Sequence, residues 1–301
     1  MGRYATIWLL CLSMASGAKA ESADIDRAIQ EHRMGTLVVQ ASPGAAVKVE
    51  QIRHEFWFGA AVSSSAFSGR MRPEDERRYK KTFLANFNAA VTENALKWHA
   101  MERRQGQVDY ATLDAILDWT SEHEIPLRGH CLFWGISGRV QDWVKQLDDE
   151  ALRAALKTRA TTIAHRYKGR FAEYDLNNEM IHGNYYADRL GPGITKEMAV
   201  WVKQADPTAR LFLNDYDILT GNRLDDYLRQ IRGLLADEAP IDGIGVQGHL
   251  HGESFDADAL RHALDELART GLPIRITEFN FPGQRASFYG QRDGKLTNEQ
   301  E

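Results

Sequence analysis

The chain has 301 residues, of which 43% are hydrophobic, 26% charged and 10% aromatic, and its formal net charge is −5. This composition excludes an intrinsically disordered chain, a collagen and a disulfide-packed miniprotein. The basic residues are dispersed along the sequence rather than clustered, so we expect no nucleic-acid partner.

Residues 1–20 have the pattern of a secretory signal peptide. Arg3 precedes an apolar run from Ala5 to Ala15, and Ala18–Ala20 matches an A-x-A cleavage site. The run is shorter than the roughly 20 residues that a membrane-spanning helix needs. We therefore expect a secreted protein, extracellular or periplasmic, that has no membrane contact after the signal is cleaved.

After the signal, the sequence predicts a lead-in and then one large domain. The lead-in, residues 21–55, is predicted to hold a short helix and a small β unit made of Thr36–Val39 and Ala46–Val49. From residue 56 to residue 301, short apolar runs alternate with amphipathic helical stretches. Such alternation predicts a parallel sheet, open or closed into a barrel. The predicted strands are Phe56–Val62, Asn88–Val91, Pro126–Phe133, Phe171–Leu176, Arg210–Leu213, Ile241–Val246 and Pro273–Ile276.

Polar residues collect at the ends of these strands. In a parallel α/β barrel, the loops that follow the strands build the active site. Acids and amides directly beside buried strands are costly unless they are compensated, which favours a functional reason for them. From the second strand to the seventh they are, in order, Glu93, Asn94 and Lys97; Arg128, His130 and Trp134; Asn177, Asn178 and Glu179; Asn214, Asp215 and Tyr216; Gln247 and His249; Glu278 and Asn280.

Two glutamates, Glu179 and Glu278, each end an apolar strand, and the two strands are three apart in the predicted barrel. This arrangement suits two carboxylates that face each other across a cleft. Glycoside hydrolysis uses such a pair, in which one carboxyl group is protonated and the other is ionised. From the spacing alone, a structural salt-bridge role for the two glutamates stays open.

Five segments at these strand ends resemble, in the right order, the signature segments of glycoside hydrolase family 10, the retaining endo-1,4-β-xylanases. They are Thr92–Trp98, Arg128–His130 together with Trp134, Asp175–Glu179, Gly245–His249 and Ile276–Glu278. Two further segments are similar to the plant-like and bacterial branch of that family, Asn178–His182 and Arg189–Gly191. The resemblance runs from about residue 36 to residue 281 and implies a (β/α)8 TIM barrel that hydrolyses internal β-1,4 bonds of xylan.

The resemblance also implies a role for each matching residue. Glu179 is the general acid/base, Glu278 is the nucleophile, and Asn178 bonds the 2-hydroxyl of the reacting sugar. His249 is the expected hydrogen-bond donor to Glu278, and the residue at position 280, here Asn280, supports that histidine. Other matching residues are expected to bind substrate: Glu93, Asn94, Lys97, His130 and Gln247 on the non-reducing side, with Trp98 and Trp134 as sugar-facing surfaces. Apart from the resemblance, Tyr216 and the loop residues Tyr185 and Tyr186 are candidates to stack on leaving-side sugars, and the alternative that they are ordinary exposed loop tyrosines stays open. We expect no cofactor, no metal and a monomer whose partner is xylan or a xylo-oligosaccharide.

The sequence departs from the family pattern in three places. Asn280 stands where the family has Asp, and Phe279 stands where it has Leu. The chain stops at residues 296–301, which have the pattern of a helix start, so we expect the eighth β/α unit to be missing.

Three alternatives to a xylanase follow from the sequence. A non-catalytic or degenerate xylan-binding relative is suggested by Asn280 and the short C-terminus, although both glutamates are retained. A cellulase or mannanase of the same barrel clan is disfavoured by the family resemblance, not by residue chemistry. A metallohydrolase is suggested by the spacing of His249 and His251, but no second ligand set accompanies these histidines.

Overall fold

The computed structural model describes residues 26–52, 54–249 and 256–279. The chain divides into two compact units, Met1–Arg53 and His54–Glu301. The predicted signal segment lies outside the described residues. Among the helices that the structure describes, none is long and apolar enough to cross a membrane.

In the first unit, residues 26–32 form helix α1, and residues 34–52 hold a turn but no strand. The short helix of the predicted lead-in is therefore present, whereas the predicted β unit at Thr36–Val39 and Ala46–Val49 is wrong. The apolar side chains of those two runs stay exposed, Val38 at 75% and Val49 at 62%. Runs of β-branched residues form a stable ladder only when one face of the sheet is buried, and here neither run has a buried face.

The second unit is built on a parallel sheet. Its strands pair in the order β1-β2-β3-β5-β6-β7-β8, and a short strand β4 also pairs with β5. Every ladder between these strands is parallel. The strands are Gly59–Val62 (β1), Ala89–Thr92 (β2), Leu127–Gly129 (β3), Phe133–Trp134 (β4), Glu173–Asn178 (β5), Leu211–Asp215 (β6), Gly243–Val246 (β7) and Ile274–Ile276 (β8).

All seven predicted strands are present; most bounds differ by one or two residues, and two strands differ by more. The first begins at Gly59 rather than Phe56, and the aromatic residues that precede it, Phe56 and Phe58, are more than 60% exposed. The third is divided into β3 and β4, and both parts pair with β5. The structure thus confirms the predicted α/β fold class, while the expectation about an eighth β/α unit concerns residues outside the described range.

Helices connect the strands and bury one face each. In α9, Leu224, Leu228 and Ile231 recur at helical spacing and are almost fully buried, as an amphipathic helix on a sheet requires. Helix α6 begins at Asp148, whose carboxylate accepts a hydrogen bond from the Ala151 N–H at 2.8 Å. The remaining helices are Pro73–Asn86 (α2), Trp98–Met101 (α3), Ala111–Glu122 (α4), Asp142–Lys145 (α5), Asp149–Arg166 (α6), Tyr185–Leu190 (α7), Ile194–Ala205 (α8), Leu224–Ala236 (α9) and Ala257–Ala268 (α10).

A buried ionic network ties strands β3, β5 and β8 together. Glu173, the first residue of β5, is fully buried and accepts hydrogen bonds from Arg128 Nε at 3.0 Å and Arg275 Nη2 at 2.8 Å. Arg128 Nη2 also donates to Asp175 Oδ1 at 2.7 Å. Buried charges of this kind persist only when they are paired, and here both carboxylates have arginine partners. The network holds β8, whose far end carries Glu278, in register with β5, whose far end carries Glu179.

Candidate active site

Glu179 directly follows β5, and Glu278 lies two residues after the end of β8. Both positions are at the carboxyl ends of parallel strands, where the loops of such a fold build their sites. Between β5 and β8 in the sheet lie only β6 and β7, whose last residues and following loops supply Asn214, Gln247 and His249. The strand order therefore brings together the polar residues that the sequence separates by up to 100 positions.

Both carboxylate oxygens of Glu179 accept a hydrogen bond from a neutral donor. Trp134 Nε1 donates to Oε2 at 2.7 Å, and Gln247 Nε2 donates to Oε1 at 3.0 Å. The backbone of Glu179 has a φ of +59°, a left-handed conformation that is unfavourable for a residue other than glycine. Its N–H donates to the carbonyl oxygen of Asn214 at 2.8 Å, which holds this turn in place.

Glu278 has a different pair of neighbours. Asn214 Nδ2 donates to Oε1 at 3.1 Å, and His249 Nε2 lies 3.2 Å from Oε2. Burial alone raises the pKa of Glu278, but the hydrogen bond from His249 and the electrostatic effects of His130 and His249 outweigh burial, so that this pKa lies below its ordinary 4.5. The carboxylate is about one third exposed and is kept ionised, which is the state that a nucleophile needs.

Asn214, the fourth residue of β6, connects the two glutamates. Its carbonyl oxygen holds the backbone of Glu179, while its Nδ2 donates to Glu278 and, at 2.9 Å, to Asn178 Oδ1. Thr277 Oγ1 donates to Asn214 Oδ1 at 2.7 Å and fixes the orientation of the amide. A Cβ at Gly245 would lie 2.8 Å from Asn214 Oδ1, so the neighbouring strand needs glycine here. The sequence places Asn214 at a strand end but assigns it no role, because its partners lie on other strands.

Asn178 is 1% exposed and offers a donor that nothing else uses. Its Oδ1 is occupied by Asn214, but its Nδ2 is buried and has no hydrogen-bond partner among the described residues. A buried donor without a partner costs about 1–3 kcal/mol. A substrate hydroxyl at this position would satisfy the donor, which fits the bond to a sugar 2-hydroxyl that the family resemblance implies.

His130 is held by the ionic network. Its Nδ1 lies 2.9 Å from Asp175 Oδ2, and Asp175 is in turn bound by Arg128. Burial alone raises the pKa of Asp175, but Arg128 and the bond to His130 outweigh burial and lower this pKa. The ionised Asp175 fixes the His130 ring, whose Nε2 has no hydrogen bond within the described part of the chain. That nitrogen is available to a sugar hydroxyl.

A polar and aromatic surface adjoins Glu179 through Trp134. Lys97 Nζ lies 4.8 Å from the centre of the Trp134 ring and 3.0 Å from Asn94 Oδ1, and Arg139 Cζ lies 4.9 Å from the same ring. Asn94 and Glu93 are exposed and line a polar cavity of about 700 Å³. Donors, acceptors and an aromatic face are the features that bind a sugar, so these residues can extend the site beyond the two glutamates.

Comparison with known proteins identifies the family of this site. Residues 49–300 match the family model described as glycosyl hydrolase family 10. The chain belongs to glycosyl hydrolase family 10. Over 241 residues it is 40% identical to Endo-1,4-beta-xylanase 1 of Arabidopsis thaliana, which covers 79% of this chain and 25% of that protein. The (β/α)8 barrel of the family is the fold class that the parallel sheet already indicated.

Two further relatives extend the comparison. The chain is 35% identical over 236 residues to Anti-sigma-I factor RsgI6 of Acetivibrio thermocellus, which covers 78% of this chain and 30% of that protein. The crystal structure of xylanase 10B from Thermotoga petrophila RKU-1 in complex with xylobiose has a TM-score of 0.68 and 26% identity, with 74% of this chain and 69% of that chain covered. The chain spans only 25% and 30% of the length of the two curated relatives named here.

Trp98 is a correction to the predicted family 10 site. It is expected to present a sugar-facing surface, but it is only 4% exposed. Its ring packs edge-on against Phe133 and Trp143, with ring centres 6.2 and 5.7 Å away, and its Nε1 donates to Glu102 Oε2 at 2.7 Å. A tryptophan with its face covered and its N–H bonded supports the loop rather than the substrate.

The three tyrosines that are candidates for the leaving side differ in their exposure. Tyr186 is 1% exposed and packs against Phe133, so the suggestion that it stacks on a sugar is wrong. Tyr185 is half-buried, and its hydroxyl accepts a hydrogen bond from Arg189 Nη1 at 2.7 Å. Tyr216 is also half-buried and stacks on His182, with ring centres 3.5 Å apart and ring planes 11° from parallel. Of the three tyrosines, Tyr216 is the nearest in sequence to Asn214, the residue that bonds both glutamates.

Two predicted residues lie outside the described residues: Asn280, which is expected to support His249, and the histidine at position 251. Within the described ranges, no group of three or more His, Cys, Asp or Glu side chains is arranged to hold a metal ion.

Proposed function

We propose that this chain is the catalytic region of a secreted endo-1,4-β-xylanase that retains the anomeric configuration of its substrate. The observation that carries the proposal is the bridge through Asn214. One residue holds the backbone of Glu179 and donates to the carboxylate of Glu278, so the two glutamates belong to a single site. The different partners of the two carboxylates support different roles for them.

In the first step, Glu278 attacks the anomeric carbon and the bond from that carbon to the leaving oxygen breaks. Glu179 gives its proton to the leaving oxygen, so the departing sugar leaves as a neutral alcohol. In the second step, Glu179 takes a proton from water, the water oxygen bonds to the anomeric carbon, and the bond to Glu278 breaks. Two inversions at one carbon give net retention.

The substrate assignment rests on the relatives and on the residues around the glutamates. The relative from Arabidopsis thaliana is named an endo-1,4-β-xylanase, and the Thermotoga petrophila xylanase is described in complex with xylobiose. In this chain, Asn178 Nδ2 and the Lys97–Asn94–Trp134 surface provide the donors and the aromatic face that a xylose chain needs. We therefore place the non-reducing sugars along Glu93, Asn94, Lys97, His130 and Gln247 and the leaving sugar beside Tyr216.

Hydrolysis of soluble glucuronoxylan tests this function. An endo-acting retaining enzyme lowers viscosity faster than it releases reducing ends, and proton NMR detects the β-anomer of the product first. Glu278→Gln, in a variant shown by circular dichroism to be folded, should abolish both signals. Initial release of the α-anomer would contradict retention, and preferential cleavage of carboxymethylcellulose or mannan would contradict the substrate.

Binding of xylan without turnover is a second candidate. It is favoured by the 35% identity to a protein named as an anti-sigma factor rather than as a hydrolase, and by Asn280 in place of the family Asp. Titration calorimetry with xylohexaose separates the two functions. Heat of binding with an intact ligand after overnight incubation would favour the binding role, whereas shortened oligosaccharides would favour the enzyme.

Secretion is proposed from residues 1–20. The proposal rests on Arg3, the apolar run and the A-x-A pattern at Ala18–Ala20. Expression of the full chain in a secreting bacterial host, followed by intact mass measurement, should give a mature protein that begins at Glu21. A product that keeps Met1 in the cytoplasm would contradict the proposal.

A further inference from the structure

A second cluster of ionisable side chains adjoins the turn that follows Glu179, and of its members only Tyr216 has a part in the proposed function. It consists of His182, Asp215, Tyr216 and Asp217, and we refer to it as the His182 cluster. Asp215 is the last residue of β6 and is fully buried, and the His182 side chain is 12% exposed. A buried carboxylate and a nearly buried imidazole are costly to desolvate, so this cluster needs a reason.

Asp215 is bonded to the loop that follows Glu179 at two successive residues. Its Oδ2 accepts a hydrogen bond from the Ile181 N–H at 3.0 Å, and its Oδ1 lies 2.7 Å from His182 Nδ1. The same Oδ1 accepts from the N–H of Tyr216 at 3.0 Å. One carboxylate therefore joins the acid/base loop to the start of the loop that carries Tyr216.

His182 completes this connection on its other faces. Its backbone N–H donates to the carbonyl oxygen of Glu179 at 3.1 Å, which closes the turn around the acid/base. Its ring stacks on Tyr216 at 3.5 Å, and its Nε2 lies 3.9 Å from Asp217 Oδ2. The imidazole therefore lies between two carboxylates and against one aromatic ring, a set of contacts that fixes both its position and that of Tyr216.

The turn at Glu179 needs external support because its backbone is unfavourable. The φ of +59° costs of order 1–3 kcal/mol unless surrounding contacts hold it. Asn214 holds one side of the turn through the Glu179 N–H, and the next residue of the same strand, Asp215, holds the other side through Ile181 and His182. Arg223 Nη2 adds a further bond to the Ile181 carbonyl oxygen at 2.9 Å.

We propose that Asp215 and His182 form a positioning pair that aims the Glu179 carboxyl group at the leaving oxygen and holds Tyr216 as the surface under the leaving sugar. The inference deepens the proposed hydrolase function and rests on it. His182 and Asp215 touch neither the reacting bond nor the nucleophile, so they act through Glu179 and Tyr216. We therefore expect these two residues to affect protonation of the leaving group and not attack by Glu278.

The proposed role of the pair predicts which substrates are hydrolysed more slowly when the pair is removed by substitution. A leaving group that must be protonated depends on the placement of Glu179, whereas 2,4-dinitrophenolate leaves without a proton. Misplacement of a catalytic group by about 1 Å costs on the order of 100-fold. His182→Ala should therefore lower kcat/KM for xylohexaose by about 10- to 100-fold and for 2,4-dinitrophenyl β-xylobioside by less than about 3-fold.

The ratio of the two rates, measured on one sample, does not depend on the fraction of molecules that are folded. Partial unfolding of His182→Ala therefore cannot imitate the expected change. His182→Asn is the conservative variant, because its side-chain amide can donate to Asp215 from the place of Nδ1, and it should recover most of the xylohexaose rate. His123→Ala is the matched control, since His123 contacts Trp119 at the end of α4 and should leave both rates unchanged.

The possible outcomes separate the inference from the proposed function. If the wild-type chain hydrolyses both substrates and His182→Ala affects them equally or not at all, the positioning role is overturned while the hydrolase function stands. If the wild-type chain hydrolyses neither substrate, the proposed function fails and the inference fails with it. Selective loss on xylohexaose with recovery in His182→Asn supports the pair.

Discussion

The two ends of strands β5 and β8 carry carboxylates in opposite settings. Near the start of these strands, Glu173 is fully buried and its oxygens are bonded by Arg128 and Arg275. At the far ends, Glu179 and Glu278 are partly exposed and are bonded by an indole, two amides and an imidazole. Paired with permanent cations, Glu173 can only hold the strands. With weaker and neutral donors, Glu179 and Glu278 remain free to exchange a proton or to attack.

We call the end of the sheet with the buried Glu173 the closed end, and the end with Glu179 and Glu278 the open end. The comparison predicts that substitutions at the two ends have different effects, and the largest is a loss of stability at the closed end. Glu173→Ala removes a carboxylate partner from the buried Arg128, which keeps Asp175, and from the partly buried Arg275, and it should destabilise the fold by about 3–5 kcal/mol. Urea unfolding followed by circular dichroism measures this loss. Glu179→Gln is the control at the open end and should change stability by less than about 1 kcal/mol. Equal stability of the two variants would contradict the division between the ends.

A smaller effect is expected at the bridge between the glutamates. Asn214→Ala removes the donor to Glu278 and to Asn178 but keeps the carbonyl oxygen that holds Glu179. Loss of one preorganised donor costs on the order of 100-fold in kcat. We expect this loss on both xylohexaose and the dinitrophenyl substrate, because the nucleophile serves both. Steady-state kinetics on the two substrates measures it, and a loss restricted to xylohexaose would place Asn214 with Glu179 alone.

The pH dependence of activity sharpens the contrast between the two glutamates. In the proposed mechanism Glu278 acts in its ionised form; burial raises its pKa, but the hydrogen bond from His249 and the effect of His130 outweigh burial and hold the pKa below 4.5. His249→Ala leaves burial unopposed by that bond, so the pKa of Glu278 should rise. The acid limb of the kcat/KM profile should then move to higher pH by about one unit. His249→Gln, which keeps a donor at the place of Nε2, should show a smaller movement, and an unchanged limb in His249→Ala would contradict the assignment.

Asp215 is the intermediate case, a buried carboxylate at the open end with no arginine partner. Burial raises its pKa to about 6, against the hydrogen bonds from Ile181, His182 and Tyr216. Because this value lies above the roughly 3.9 of an unfolded Asp, its contribution to stability is full below about pH 4 and is lost as the pH rises through 6. Asparagine does not titrate, so the variant lacks this contribution of Asp215.

The Tm of Asp215→Asn relative to wild type should therefore increase between about pH 4 and pH 7, by a few degrees. Thermal unfolding at the two pH values measures this change. A relative Tm that falls over the same range would show that ionised Asp215 stabilises the fold.

The strands, and the positions of the two glutamates at strand ends, can be predicted from the sequence because both leave local signals. Apolar runs mark the strands, and a polar residue directly after such a run marks the end at which sites form. Glu179 and Glu278 are recognised in this way, and the family resemblance adds their roles. The third strand is divided and the first begins late, since those bounds depend on pairing with β5 and β2.

The remaining differences come from contacts between distant segments. Trp98 is covered by Phe133 and Trp143, and the segment around Trp98 does not reveal this. The lead-in has β-branched runs but no buried face, so propensity alone misleads. Asn214 and Asp215 are visible only as polar residues at a strand end, because the Glu179 loop and Glu278, which they hold, lie 33 or more positions away in sequence. Their importance follows from the order of strands in the sheet.

The central claim is that Glu278 is the nucleophile of one site shared with Glu179, and covalent trapping tests it most directly. A 2-deoxy-2-fluoro-xylobioside with a good leaving group slows both chemical steps and leaves the intermediate on the enzyme. Intact mass and peptide mapping of the full chain should show one adduct, on the peptide that contains Glu278, and none in Glu278→Gln. An adduct on Glu179 or elsewhere, or no adduct on a chain that circular dichroism shows to be folded, would contradict the claim.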